Sequence, residues 1–197
     1  YKVSSHFYIK KSGNALVLVP ELYEAWHAGV SNWKNYKSLN KHSIGIEITN
    51  PGHQYGYKSF SSKQIYTLKK LLNYLVNKYK INKKCILGHS DISPDRKKDP
   101  GEKFPWQVLA KNKLAMWHGL DPKKIKKKRN VKLILQSEKS RFLKNLNKIG
   151  YNNIRGLKSS INNKYLTIAF QRRFRQSVIN GKIDKECLLI SKNLVSN

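Results

Sequence analysis

Between Gly88 and Gly101 the chain reads GHSDISPDRKKDPG, which sets His89, Lys97 and Asp99 at spacings of eight and ten residues. Imidazole and carboxylate are both zinc donors, and a hydrolytic zinc site needs about three protein ligands plus an open position for water. Pro94 and Pro100 restrict the intervening loop and lower the entropy cost of returning Asp99 to His89. Cys85, Ile86 and Leu87 form a short apolar run expected as a buried strand, so His89 is expected where a strand ends and a loop opens, a rigid place to hold a ligand. The spacing also fits a histidine packed beneath a turn and an aspartate capping one.

Glu47 lies in the run SIGIEITN, between Ile46 and Ile48, in a segment otherwise too apolar to welcome a charge. Strand alternation turns it to the face opposite those isoleucines, where a raised pKa would suit a general base beside an activated water. A carboxylate paired with a lysine at a sheet edge fits the same residues. Lys97 could donate to a developing oxyanion; beside Lys98 it could equally be one more solvated cation. His6 alternates with apolar neighbours and reads as a core residue or one supporting a ligand. Trp26, His27 and Ala28 sit in the run AWHAG and could line a substrate groove, with Trp33 and Tyr36 as further stacking surfaces. His42, His53 and His118 read as exposed and incidental.

These residues need a scaffold, and 197 residues with 39% hydrophobic content can bury a core. Strands are expected over Tyr1 to Lys10, Leu16 to Val19 and Ile44 to Thr49. A capping-box helix begins at Ser61 and carries Ile65, Leu68, Leu72, Leu75, Val76 and Tyr79 inward. A further helix runs from Pro105 towards Gly119. The expectation is an α/β (α+β) domain over residues 1–120, with a mixed central sheet flanked by helices. Residues 121–130, DPKKIKKKRN, read as a basic linker. Helices over Ser137 to Ile149, Asn163 to Phe174 and Asp184 to Leu194, separated by Gly150 and Gly181, predict a small three-helix domain over 131–197.

The net charge is +29, from 40 basic and 11 acidic residues, at +13 over residues 1–120 and +16 over the shorter remainder. Such a charge suits a polyanionic partner or a solvated basic exterior, and 33 lysines alongside abundant Asn and Ile are also what an AT-rich coding bias produces. No nucleic-acid motif accompanies the charge, so no nucleic-acid partner is expected. Two cysteines a hundred residues apart make neither a disulfide framework nor a cysteine zinc site. No 18-residue apolar stretch occurs. The chain opens without Met in a strand-like alternation, as a chain beginning inside a domain would.

The segments VSSHFYI, AWHAG, SIGIEITN and GHSDISPDRKKDPG, in this order and spacing, resemble the zinc-dependent N-acetylmuramoyl-L-alanine amidases of the amidase-2 class, and look most like their AmiD branch. The likeness covers residues 1 to 118, and the tail resembles that branch's peptidoglycan-binding module through Gly150-Tyr151 and the run from Ala169 to Phe174. It implies Zn²⁺ as cofactor, His89 and Asp99 as metal ligands, Glu47 and Lys97 as catalytic residues, and peptidoglycan or muropeptides as partner. The reaction implied is hydrolysis of the amide between N-acetylmuramic acid and L-alanine. The class has another zinc histidine on a strand upstream of VSSHFYI, which an upstream segment would have to supply; His6 matches a histidine that is not a ligand. A recognition protein without catalysis shares the fold, and retention of all four residues argues against it. The substrate places the expected action in the bacterial envelope, periplasm or outer membrane given an export signal, with the cytoplasm as the alternative. If the helical part were a separate binding module, removing residues 125–197 would spare cleavage of small muropeptides.

Overall fold

The computed structural model describes residues 3–196. Its sheet has the order β2-β1-β5, with β1 (Phe7–Ile9) antiparallel to β2 (Ala15–Val17) and parallel to β5 (Ile46–Ile48). β3 (Asn32–Trp33) and β4 (Tyr36–Lys37) form a separate two-stranded ribbon. The strands are shorter than the sequence pattern suggests, and Tyr1 and Lys2 lie outside the described residues.

α1 (Ser62–Tyr79) begins at the expected capping box: the Ser61 hydroxyl accepts from the Gln64 amide at 3.2 Å and Gln64 Oε1 accepts from the Ser61 amide at 3.0 Å. Gln64 Nε2 also donates to the Thr49 carbonyl at 2.8 Å, so the start of α1 is tied to the end of β5. Ile65, Leu68 and Leu72 then pack with Ile9, Phe104, Trp106, Leu109 and Leu114 in one apolar cluster. This cluster lies beneath the strand that carries Glu47.

The expected strand at Cys85 to Leu87 does not form. Lys83–Cys85 is a 3-10 turn capped by Asn82, and Ile86 is extended outside any ladder among the described residues. The Ile86 carbonyl is met instead by Arg173 Nη2 at 2.9 Å, from the far end of the sequence. His89 therefore opens α2 (His89–Ile92), a single turn, rather than closing a strand. Gly88 is needed ahead of it, because a Cβ there would come within 2.6 Å of Pro100 and 3.1 Å of Trp106. α3 (Trp106–Lys111) is also shorter than expected; a turn returns the Leu114 amide to the Leu109 carbonyl at 2.9 Å, so Leu114 is buried without continuing the helix.

Cys85 is exposed and Cys187 buried. Burial pushes the Cys187 thiol up to about 12, so at neutral pH it carries almost no thiolate. In native protein a maleimide is expected to label Cys85 alone, with Cys187 reacting only after denaturant is added; mass spectrometry of the labelled peptides checks this.

The helical part consists of α5 (Gln136–Ile149), α6 (Ser159–Phe174) and α7 (Lys185–Ser196), each close to its expected span. Residues 121–130 are more ordered than a linker. Asp121 caps α4 (Pro122–Lys126), Ile125 is buried, and Arg129 grips Glu186 through two hydrogen bonds of 2.7 and 2.8 Å. The second apolar cluster joins Ala28, Trp33 and Leu39 to Phe142, Leu146, Tyr151, Phe170 and Leu188. Gly150 makes this junction possible: at φ 139° it lets the backbone pass the Trp33 indole, which a Cβ would approach to 2.4 Å. Trp33 is thus a core residue, 2% exposed, against Tyr151 at 4.9 Å between ring centroids, and not a stacking surface for ligands. Among the described residues no helix is long and apolar enough to cross a membrane.

Candidate active site

β5 and the loop after α2 bring four of the expected residues together. His89 Nδ1 lies 3.0 Å from Asp99 Oδ2, and His89 Nε2 lies 3.1 Å from the Ala28 carbonyl. A carbonyl can only accept, so Nε2 carries the proton. Nδ1 then faces a carboxylate oxygen, and these two electron-pair donors need a proton or a metal cation between them. Zinc bonds of about 2.0–2.2 Å at a tetrahedral angle set neighbouring donors roughly 3.4 Å apart, close to the separation seen. An outer N–H held by a backbone carbonyl is the usual way a ligating histidine is oriented. The pair fits zinc as two ligands; among the described residues no set of three His, Cys, Asp or Glu side chains forms a metal cluster.

Electrostatics links Glu47 and Lys97 to the pair. Desolvation, then the negative charge of Asp99, raises the Glu47 carboxyl above its ordinary range, against the opposing pull of His89 and Lys97. Its place opposite Tyr8 in the parallel β1–β5 register turns it to the other face from Ile46 and Ile48, as alternation predicts. For Asp99, burial alone would raise the pKa, but the His89 hydrogen bond and charge, with help from Lys97, hold it below the usual carboxylate range. The Lys97 amide donates to the Ser93 carbonyl at 2.9 Å, which fixes the backbone that presents its ammonium.

The three residues expected to bind substrate divide. Trp26 is 47% exposed and free to stack. His27 packs edge-on to His6, with 5.5 Å between ring centroids, and its Nε2 meets the Ser43 carbonyl at 3.3 Å. Desolvation lowers its pKa to about 4, so it is neutral at physiological pH. Ala28 is buried, its amide donates to Asn40 Oδ1 at 2.7 Å, and its carbonyl serves His89 and Arg96. Ala28 therefore holds the His89 ring through its carbonyl while its own side chain is buried. His6 is a supporting core residue, as expected, donating from Nε2 to the Tyr23 carbonyl and accepting the Gly45 amide at Nδ1, each at 3.0 Å. His118 is not exposed as expected: it is half-buried and stacks on Trp117.

Sequence reasoning missed the support behind His89. Asp91, 2% exposed, accepts from the Tyr151 hydroxyl at 2.5 Å, from Arg173 Nη1 at 2.5 Å and from the Gly88 amide at 2.8 Å. The Arg173 guanidinium also lies 4.1 Å from the Trp106 ring centroid. Burial drives the Tyr151 hydroxyl pKa well up, so it stays protonated and able to donate to the carboxylate. A signal was present: Arg173 follows Ala169 by four and Phe170 by three, which puts a cation on the inward stripe of α6.

A mixed sheet flanked by helices, with a histidine and an aspartate converging beside an acidic strand residue, is an arrangement that suits a hydrolase. The family profile described as N-acetylmuramoyl-L-alanine amidase matches residues 1–102. The chain is 32% identical over 211 residues to the N-acetylmuramoyl-L-alanine amidase AmiD of Escherichia coli, covering 98% of this chain and 74% of the relative. It is 40% identical over 107 residues to the 1,6-anhydro-N-acetylmuramyl-L-alanine amidase AmpD of Haemophilus influenzae, covering 54% of this chain and 56% of that one. Solved structures agree: E. coli AmiD with the substrate anhydro-N-acetylmuramic acid-L-Ala-D-γ-Glu-L-Lys superposes with a TM-score of 0.86 at 30% identity, over 100% of this chain and 80% of that one. AmpDh3 of Pseudomonas aeruginosa, in complex with an anhydromuramic pentapeptide, gives 0.85 at 28% identity over 99% and 82%. The chain belongs to the N-acetylmuramoyl-L-alanine amidase family.

Proposed function

We propose that this amidase cuts the amide between the lactyl group of N-acetylmuramic acid and the L-alanine of a muropeptide or of peptidoglycan in the bacterial envelope, with zinc held by His89 and Asp99. The observation that carries the reading is the pairing of His89 Nδ1 with Asp99 Oδ2 at 3.0 Å, inside the electrostatic reach of Glu47 and Lys97. The anhydromuropeptides bound to AmiD and AmpDh3 support the substrate class.

Zinc, when bound, supplies Lewis acidity towards the carbonyl and acidity to water. Glu47, its carboxylate already disfavoured by desolvation, accepts the proton of the attacking water and passes it to the leaving L-alanine nitrogen. Lys97 donates to the carbonyl oxygen as negative charge develops there. The Ala28 carbonyl fixes the His89 tautomer, so the lone pair on Nδ1 faces Asp99 throughout.

Incubation with anhydro-N-acetylmuramic acid-L-Ala-D-γ-Glu-L-Lys is expected to release the free tripeptide. A chelator should stop the release and added zinc should restore it. His89→Ala should lower both activity and the zinc content measured by X-ray fluorescence. Release that continues undiminished after exhaustive chelation would remove zinc from the reading.

A further inference from the structure

A groove of about 370 Å³ opens between the loop that carries Asp99 and the C-terminal end of α6, lined by His53, Lys98, Glu102, Arg172, Gln176 and Ile179. Lys98 stands between Lys97 and Asp99 in the chain, so the groove shares the loop that carries two of the expected site residues. Arg172 comes from the helical part and lies within the electrostatic reach of Asp99.

Arg172 is 8% exposed, and its Nε is buried with no hydrogen-bond partner among the described residues. The Glu102 carboxylate is 3.8 Å away and is engaged by His53 at 3.1 Å. A guanidinium largely held out of water with its Nε donor unmet is costly, and burial lowers its pKa; the Nη groups remain the donors an entering ligand could meet. Lys98 and Arg172 outnumber the single carboxylate of Glu102 in the lining, so an entering carboxylate meets an excess of positive charge.

We propose that this groove holds the free α-carboxylate of D-γ-glutamate, the second residue of the stem peptide, with Arg172 as its main ligand and Lys98 at the rim. The inference rests on the amidase reading above. Linkage through the γ-carboxyl leaves the α-carboxylate unsubstituted. It lies two residues along from the cleaved amide, about 7 Å at roughly 3.3–3.6 Å per extended residue, a span comparable with the electrostatic reach that links Arg172 to Asp99. The planar guanidinium fork matches a carboxylate in two parallel hydrogen bonds, a geometry an amide cannot reproduce. The helical part thus contributes a specificity residue to the site.

The test compares two anhydromuropeptide substrates that differ only in whether the D-γ-glutamate α-carboxylate is free or amidated. For the wild-type protein kcat/KM is expected to favour the free acid by about tenfold, the lower part of what a charged hydrogen bond contributes. Arg172→Gln should bring that ratio to about one, and Lys98→Gln should reduce it in part. Damage to folding lowers both rates and leaves the ratio where it was. Equal cleavage of both substrates by the wild type, or a ratio unmoved in Arg172→Gln and Lys98→Gln, overturns the groove while leaving the amidase reading intact. Failure to cleave either substrate with zinc present overturns both.

Discussion

Glu47→Gln is expected to lower kcat for release of the stem peptide by about 10²–10⁴-fold, the usual contribution of a positioned general base, while zinc content stays at the wild-type level. The side chain keeps its size and loses only the ability to take a proton. In the metal-free protein the same change should leave the melting temperature equal or higher. The sign follows from the raised Glu47 pKa. A carboxyl whose folded pKa lies above its unfolded value contributes stability at low pH and loses it as pH rises through the folded pKa, so at neutral pH the charged Glu47, an exposed strand residue screened by solvent, works weakly against the fold. A glutamine avoids that penalty. Calorimetry beside the rate measurement separates the roles: a variant that is inactive and less stable would make Glu47 a structural residue, and an active one would end its part as base.

Arg173→Met is expected to destabilise the protein by about 3–5 kcal/mol, because it leaves the Asp91 carboxylate buried without its cation. In a chain of this length that corresponds to a fall of roughly 10 °C in melting temperature. Activity should fall with it, since Asp91 also holds the Gly88 amide at 2.8 Å and so sets the start of the turn that bears His89. Asp91→Asn combined with Arg173→Met should recover part of the lost stability, the mark of two residues acting on one another. Simple additivity of the two single changes would show that they do not. The same geometry bears on the expectation that residues 125–197 can be removed without harm to small substrates. Truncation would strip Ala28, Trp33 and Leu39 of their apolar partners and remove both Tyr151 and Arg173 from Asp91. The remaining 124 residues are expected to lack a cooperative thermal transition and to cleave nothing, large or small.

Composition, alternation and local motifs made much of this molecule legible before any coordinates. The Ser61–Gln64 capping box started α1 where it should, because both of its hydrogen bonds are made within four residues. Strand periodicity turned Glu47 away from Ile46 and Ile48, and the proline-bracketed loop returned Asp99 to His89. Each of these depends on near neighbours, whose geometry the chain dictates wherever the rest of the fold lies. The Cys85 to Leu87 run misled for the complementary reason. Its residues suit a strand, but a ladder needs a second strand, and the Ile86 carbonyl is met by Arg173 instead. Trp33 and Ala28 look like groove residues in one dimension and become core and support once α5 to α7 close over them. The basic run at 121–130 reads as a tether until Arg129 finds Glu186. The sequence by itself determined which donor, acceptor and charged side chains stand close along the chain, and which local turns present them. Only the tertiary structure decided that the two halves share one core and that a buried cation from the last third of the chain steadies the histidine loop, because desolvated contacts between residues some 80 positions apart leave no periodic trace in the chain.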